Sequence, residues 1–158
     1  MAIPSIGMKA PMFSLPSSEP EQVSLKQFHG EKTVVLYFYP RADTPGCTKQ
    51  ACGFRDALAD YDEANIAVLG ISPDPVKDVI KFAKKFDLNF PLLADEDHAV
   101  CEKYGVWQEK SMYGRKYWGA MRTTFVIGKD GKVLHVFEKV KPEGHDADAL
   151  AWIKANVK

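Results

Sequence analysis

The run Val34-Val35-Leu36-Tyr37-Phe38-Tyr39 constrains this chain more than any other stretch. It is β-branched and aromatic, carries no charge and is closed by Pro40, so it reads as a buried central strand with a sharp end. A second run of the same kind, Ile66-Ala-Val-Leu-Gly-Ile71, stops at Ser72-Pro73-Asp74-Pro75. Between them Phe54, Ala57, Leu58 and Tyr61 recur at three- and four-residue spacing, which predicts a helix over Cys47–Asp62. Strand, helix, strand in that order is a βαβ unit, and such units build α/β folds.

The rest of the chain extends this pattern. Phe13–Leu15 and Val23–Leu25 flank the polar Ser17-Ser-Glu-Pro20 and predict a short hairpin-like N-terminal β extension. Helical spacing continues over Val76–Phe86, Asp97–Tyr104 and Asp146–Val157. Thr123–Ile127 and Lys132–Phe137 read as strands around the turn Lys129-Asp130-Gly131. The segment Glu109–Trp118, polar with glycine and aromatics, reads as a functional loop. The order implies helices on both faces of a mixed central β-sheet; periodicity carries the inference no further than the α/β class. With 158 residues and no linker or repeat, residues 1–158 are expected to form a single domain.

Composition excludes several classes of function. Lysine plus arginine and aspartate plus glutamate both total 21, so no basic excess exists to hold nucleic acid or an anionic membrane. The apolar runs are about six residues, against roughly 20 needed to span a bilayer. The N-terminal stretch shows no charged region followed by an apolar core, so no signal peptide is expected and the cytoplasm is the expected compartment. Three cysteines are too few for a disulfide framework, and cytosolic thiols are kept reduced. No metal is expected: Cys47 and Cys52 do not form Cys-x-x-Cys, and His29, His98, His135 and His145 are scattered.

Cys47 falls where strand passes through Pro40-Arg-Ala-Asp-Thr44-Pro45-Gly46 into helix. In the first turn of a helix the backbone N–H groups have no internal partner and the dipole end is positive, which favours a thiolate. A free cysteine is more often a small buried hydrophobe, but the Thr44-Pro-Gly approach argues against burial in an apolar core. Cys101, among apolar helix positions, fits that bland description. Thr44 would serve any helix as a cap or turn residue.

Pro40, Thr44 and Cys47 meet the pattern Pro-x-x-x-Thr/Ser-x-x-Cys, and in this the chain resembles the peroxiredoxins. Tyr37-Phe38-Tyr39-Pro40 through Thr44-Pro45-Gly46-Cys47-Thr48, with Cys52 behind, resembles the peroxiredoxin Q branch, also called bacterioferritin comigratory protein. Gly7–Leu15 and Tyr113-Gly114-Arg115-Lys116 through Arg122-Thr123-Thr124-Phe125 are similar to further blocks of that family. The resemblance covers nearly the whole chain and implies a thioredoxin-like fold.

The resemblance also implies the chemistry: a thiol-dependent peroxidase that needs no cofactor and reduces hydrogen peroxide and organic hydroperoxides. Cys47 would attack the peroxide, Thr44 would hold its oxygens, Pro40 would shield the thiolate from water and Arg122 would stabilise the developing negative charge. Arg41 and Arg115 are competing cations. Cys52 matches the resolving cysteine of one peroxiredoxin Q subgroup; another subgroup places that thiol on the following helix, where this chain has Lys81-Phe82-Ala83-Lys84. Cys52 could otherwise be a core residue. An intramolecular Cys47–Cys52 disulfide, a thioredoxin-like dithiol reductant and a monomeric state are expected on this reading. A general disulfide oxidoreductase and a non-catalytic redox sensor or holdase remain the alternatives.

Overall fold

The computed structural model describes residues 3–157. Five strands form its main sheet: β3 (Thr33–Phe38), β4 (Ile66–Ser72), β5 (Leu92–Ala94), β8 (Thr123–Ile127) and β9 (Val133–Phe137), in the spatial order β5-β4-β3-β8-β9. The β5-β4-β3 half is parallel, whereas β8 and β9 join antiparallel. The sheet is therefore mixed, as expected, with β3 at its centre.

Alternation along β3 divides the core in two. Val34, Leu36 and Phe38 pack on one face with Phe13, Leu25, Leu69, Tyr104 and Phe125. Val35 and Tyr37, continued by Tyr39, pack on the other with Phe54, Tyr61, Val79, Phe82 and Ile153. A strand covered on both faces must be apolar throughout, which is why the run has no polar alternation. The second face is roofed by α1 (Pro45–Glu63), α2 (Val76–Lys85) and α4 (His145–Asn156), and the first by α3 (Ala99–Lys103) with the N-terminal extension. In that extension β1 (Ser14–Leu15) pairs antiparallel with β2 (Val23–Ser24).

Three sequence readings need correction. Glu109–Trp118 is no loop: β6 (Trp107–Met112) and β7 (Arg115–Ala120) form a hairpin around Tyr113-Gly114, both with positive φ (54° and 78°). Two positive φ values suit the tight turn whose twist matches the strands. Pro91-Leu-Leu93, given no element from sequence, contributes the edge strand β5. The helix expected over Asp97–Tyr104 is confined to Ala99–Lys103, because His98 adopts a left-handed conformation (φ 52°). Its first turn is capped by buried Asp95, whose carboxylate accepts from the Val100 and Cys101 amides at 3.1 and 2.7 Å.

Candidate active site

Cys47 occupies the third position of α1, after Pro45 and Gly46, with Thr44 as the N-cap residue. The approach from β3 is fixed at two points. The Ala42 amide donates to Asp74 Oδ2 at 2.7 Å, and Ser72 Oγ donates to the same oxygen at 2.7 Å. Lys85 Nζ lies 2.9 Å from Asp43 Oδ2, holding a residue of positive φ (59°). The loop is thus tied to the C-terminal end of β4 and to α2, and the helix start is presented at the carboxyl edge of the parallel strands, where α/β folds place their sites.

Contrary to the reading from sequence, the Thr44-Pro-Gly approach does not keep Cys47 out of the apolar core: it is 1% exposed and packs with Tyr37, Tyr39, Ala51 and Phe54. Arg122, which follows β7 and precedes β8, places Nη2 3.5 Å from Cys47 Sγ. Its Nη1 donates to Gln50 Oε1 at 2.7 Å, and its carbonyl accepts from the Val140 amide at 3.0 Å. Among the described residues no carboxylate lies within ion-pair distance of Arg122. Gly46 leaves room for this approach: a Cβ there would stand 3.2 Å from Arg122 Nη2 and 3.4 Å from Pro142 Cγ, so the guanidinium would have to give by a few tenths of an ångström.

A second cation faces the site from the hairpin. Half-buried Lys110 is held below the usual lysine range by burial first and by the Arg122 charge second, while Cys47 acts the other way. Beneath α1, Tyr37 is fully buried, its hydroxyl has no hydrogen-bond partner among the described residues, and burial pushes its phenol well above the ordinary range. Beside the first turn opens a groove of about 560 Å³ lined by Pro45, Gly46, Lys49, Lys141, Pro142 and Glu143.

Of the residues singled out from sequence, the fold brings Cys47 and Arg122 together from positions 75 apart. Pro40 is half-buried at the head of the loop. The Thr44 hydroxyl donates to the Arg41 carbonyl at 2.9 Å, and no hydrogen bond joins it to the sulfur. Cys52 lies in the same helix as Cys47, half-buried, and all three cysteines are free thiols. Cys101 is buried in the opposite half of the core, where burial and then the Asp95 charge push its thiol far up, which disfavours the thiolate. Gln50 was not anticipated; its signal was the i, i+3 spacing from Cys47, which places both on one helix face. Among the described residues no cluster of His, Cys, Asp or Glu could hold a metal ion, and no helix is long and apolar enough to cross a membrane.

Comparison with known proteins gives the same picture from outside. The AhpC/TSA family matches residues 6–136. The chain is 51% identical to peroxiredoxin Bcp of Escherichia coli K12 over 145 residues, 92% of each protein. A crystal structure of a Xylella fastidiosa PrxQ variant superposes with a TM-score of 0.93 at 31% identity, covering 100% of both chains. The bacterioferritin comigratory protein of Xanthomonas campestris, described by trapped intermediate and ligand complexes bearing on its alkyl peroxide reduction, superposes at 0.86 with 37% identity over 92% of each chain. These matches, together with a helix-start cysteine set against an arginine from the β7–β8 connection on a thioredoxin-like sheet, place this chain in the peroxiredoxin family, within its peroxiredoxin Q branch.

Proposed function

We propose that Cys47 is the peroxidatic sulfur of this thiol-dependent peroxidase, and that its substrates are hydrogen peroxide and small organic hydroperoxides. The observation that carries this reading is the unpaired guanidinium 3.5 Å from a sulfur in the first turn of a helix. The helix end and the fixed positive charge both favour the thiolate. The thiolate attacks the distal peroxide oxygen, the O–O bond breaks, and its electron pair leaves with the proximal oxygen, which takes a proton from water. Arg122 N–H groups hold that oxygen as negative charge grows on it, a role its planar fork suits. Thr44, whose proton is committed to Arg41, keeps oxygen lone pairs to accept from the peroxide O–H. Pro40 covers the loop side of the sulfur against water.

The product is a Cys47 sulfenic acid. Cys52 attacks its sulfur, water leaves and a Cys47–Cys52 disulfide forms. A thioredoxin-like dithiol then reduces the disulfide by exchange, becoming oxidised itself. The chemistry belongs to a cytoplasmic protein with no bound cofactor.

Stopped-flow peroxide consumption with thioredoxin and its reductase tests the whole cycle. Cys47→Ser abolishes it, since an alcohol supplies no anionic nucleophile near neutral pH, and Cys101→Ala leaves it near parent level. Cys52→Ser completes one turnover and accumulates sulfenic acid. Appreciable turnover in Cys47→Ser, or a Cys47–Cys101 disulfide after one equivalent of peroxide, refutes the assignment. Reduction of insulin disulfides faster than peroxide would favour a general oxidoreductase instead.

A further inference from the structure

The peptide group between Arg41 and Ala42 is held at both ends. Its N–H donates to Asp74 Oδ2 at 2.7 Å, and its C=O accepts from the Thr44 hydroxyl at 2.9 Å. Ser72 Oγ donates to the same Asp74 oxygen at 2.7 Å. Thr44 thus closes the turn 41–44 with its own side chain, while Asp74 reaches that turn from two residues beyond the end of β4.

A carboxylate is a costly choice for this place. Asp74 is 9% exposed, and none of the described ion pairs involves it. Burying a charge is unfavourable unless something answers it. Here two donors answer it, together with the start of α2 at Val76, whose positive dipole end favours an anion. A packing role would need no charge, and a turn closed by Thr44 alone would need no acid. What the carboxylate adds is a charge-assisted bond to one backbone N–H.

That bond bears on Thr44. Rotation about the soft dihedrals on either side of a peptide can turn its plane over. Such a flip at 41–42 would carry the Arg41 carbonyl away from Thr44 and release the hydroxyl proton. The Asp74 bond opposes it, because the flip would strip a buried carboxylate of a donor. Hydrogen bonds at the two ends of one amide also reinforce each other, so the carboxylate on the N–H makes the Arg41 oxygen a better acceptor. Asp43, the residue between, is fixed separately by Lys85 at 2.9 Å and takes a left-handed φ of 59°. The strain of the turn is met from α2, and its hydrogen-bond sense is set from β4.

We propose that Asp74 is a positioning residue for peroxide reduction: by holding the Arg41–Ala42 peptide it commits the Thr44 proton to the Arg41 carbonyl and leaves the Thr44 lone pairs free for the peroxide O–H. The inference rests on the reading of Thr44 as an acceptor for the substrate.

Asp74→Ala removes the anchor. The second-order rate with hydrogen peroxide should fall roughly tenfold. Alkylation of Cys47 by iodoacetamide at pH 6 should not fall, since losing a carboxylate cannot disfavour a thiolate. A loop that had merely collapsed would slow both reactions. Asp74→Asn offers one oxygen to both donors without the charge, so it should recover part of the loss and lie roughly threefold below the parent. In a Thr44→Val background neither substitution should slow peroxide reduction further. Asp74→Asn and this cycle decide the matter where the alanine variant does not fold. A parent peroxide rate in Asp74→Ala, or in Asp74→Asn where alanine does not fold, would overturn the proposal. So would equal falls in peroxide reduction and alkylation, an asparagine variant no faster than alanine, or additive losses with Thr44→Val. A parent rate in Thr44→Val alone would instead overturn the underlying reading of Thr44.

Discussion

Forming the Cys47–Cys52 disulfide should require the start of α1 to unwind. Both cysteines lie within the continuous helix Pro45–Glu63. Five residues of α-helix give ~7.5 Å of rise and ~140° of rotation, which at a Cα radius of ~2.3 Å separates the two Cα atoms by about 8.7 Å. A disulfide spans about 4.4–6.8 Å between Cα atoms, so the intact helix holds the sulfurs apart and on different faces. The opening has a natural limit at Phe54, which stacks on Tyr37 at 4.8 Å and packs against Tyr61, Phe90 and His145. Beyond it the Tyr61 hydroxyl donates to the Asp146 carbonyl at 2.7 Å, tying α1 to α4. Hydrogen exchange followed by mass spectrometry should show amides of Thr48–Gly53 exchanging at least roughly tenfold faster in the disulfide form, with Ala57–Glu63 unchanged. Helical circular dichroism should fall in parallel. Equal exchange of Thr48–Gly53 in the reduced and disulfide forms would refute the argument.

Arg122→Ala should slow the peroxide step roughly 100-fold and reduce alkylation of Cys47 at pH 6, while Arg122→Lys recovers only part of either; a parent rate in the alanine variant would remove Arg122 from the mechanism. Gly46→Ala should push the guanidinium off its position, because the new Cβ would sit 3.2 Å from Nη2, and slow peroxide reduction roughly tenfold with the melting temperature little changed. His145 is buried against Thr124 Oγ1 at 2.8 Å, and burial lowers its pKa from 6.5 to about 4. Unfolded chains therefore bind the extra proton between those values, and stability falls as pH drops through that window. Urea unfolding should lose about 2 kcal/mol from this residue between pH 7 and pH 5, a loss absent from His145→Gln. Sedimentation of the reduced protein should give a monomer, since both thiols of the proposed cycle lie in one chain; a stable dimer would contradict this.

Residues whose burial follows a simple period were legible in the sequence. Thr33–Phe38, Ile66–Ser72 and Thr123–Ile127 are mostly apolar because both sheet faces are covered, and α1, α2 and α4 were placed to within about two residues at each end. The hairpin β6–β7 was missed because its strands are exposed on both faces, so no alternation marks them. Its turn was hidden too, since Tyr113 takes a positive φ that sequence reasoning assigns to glycine or asparagine. At the site, Cys47 was evident from its strand-loop-helix setting. Arg122 came only through family resemblance, because a lone arginine ahead of a strand has no local pattern. Gln50 has a helical spacing but no distinctive chemistry until Arg122 stands beside it. Local order is written in neighbours along the chain; a site assembled from separate strands is not.

That distance between partners has a consequence for how the protein is made. Cys47 opens the helix that follows β3, and Arg122 precedes β8, the antiparallel neighbour of β3. On the ribosome, Cys47 is translated 75 residues before its cation. At roughly 5–20 residues per second, several seconds pass in which the cysteine has no arginine beside it. On the proposed mechanism, the nascent thiol thus lacks the charge that favours its thiolate. The cation reaches the sulfur only through the non-local pairing of β3 and β8, so the thiol would be activated only when the sheet that frames the site has formed.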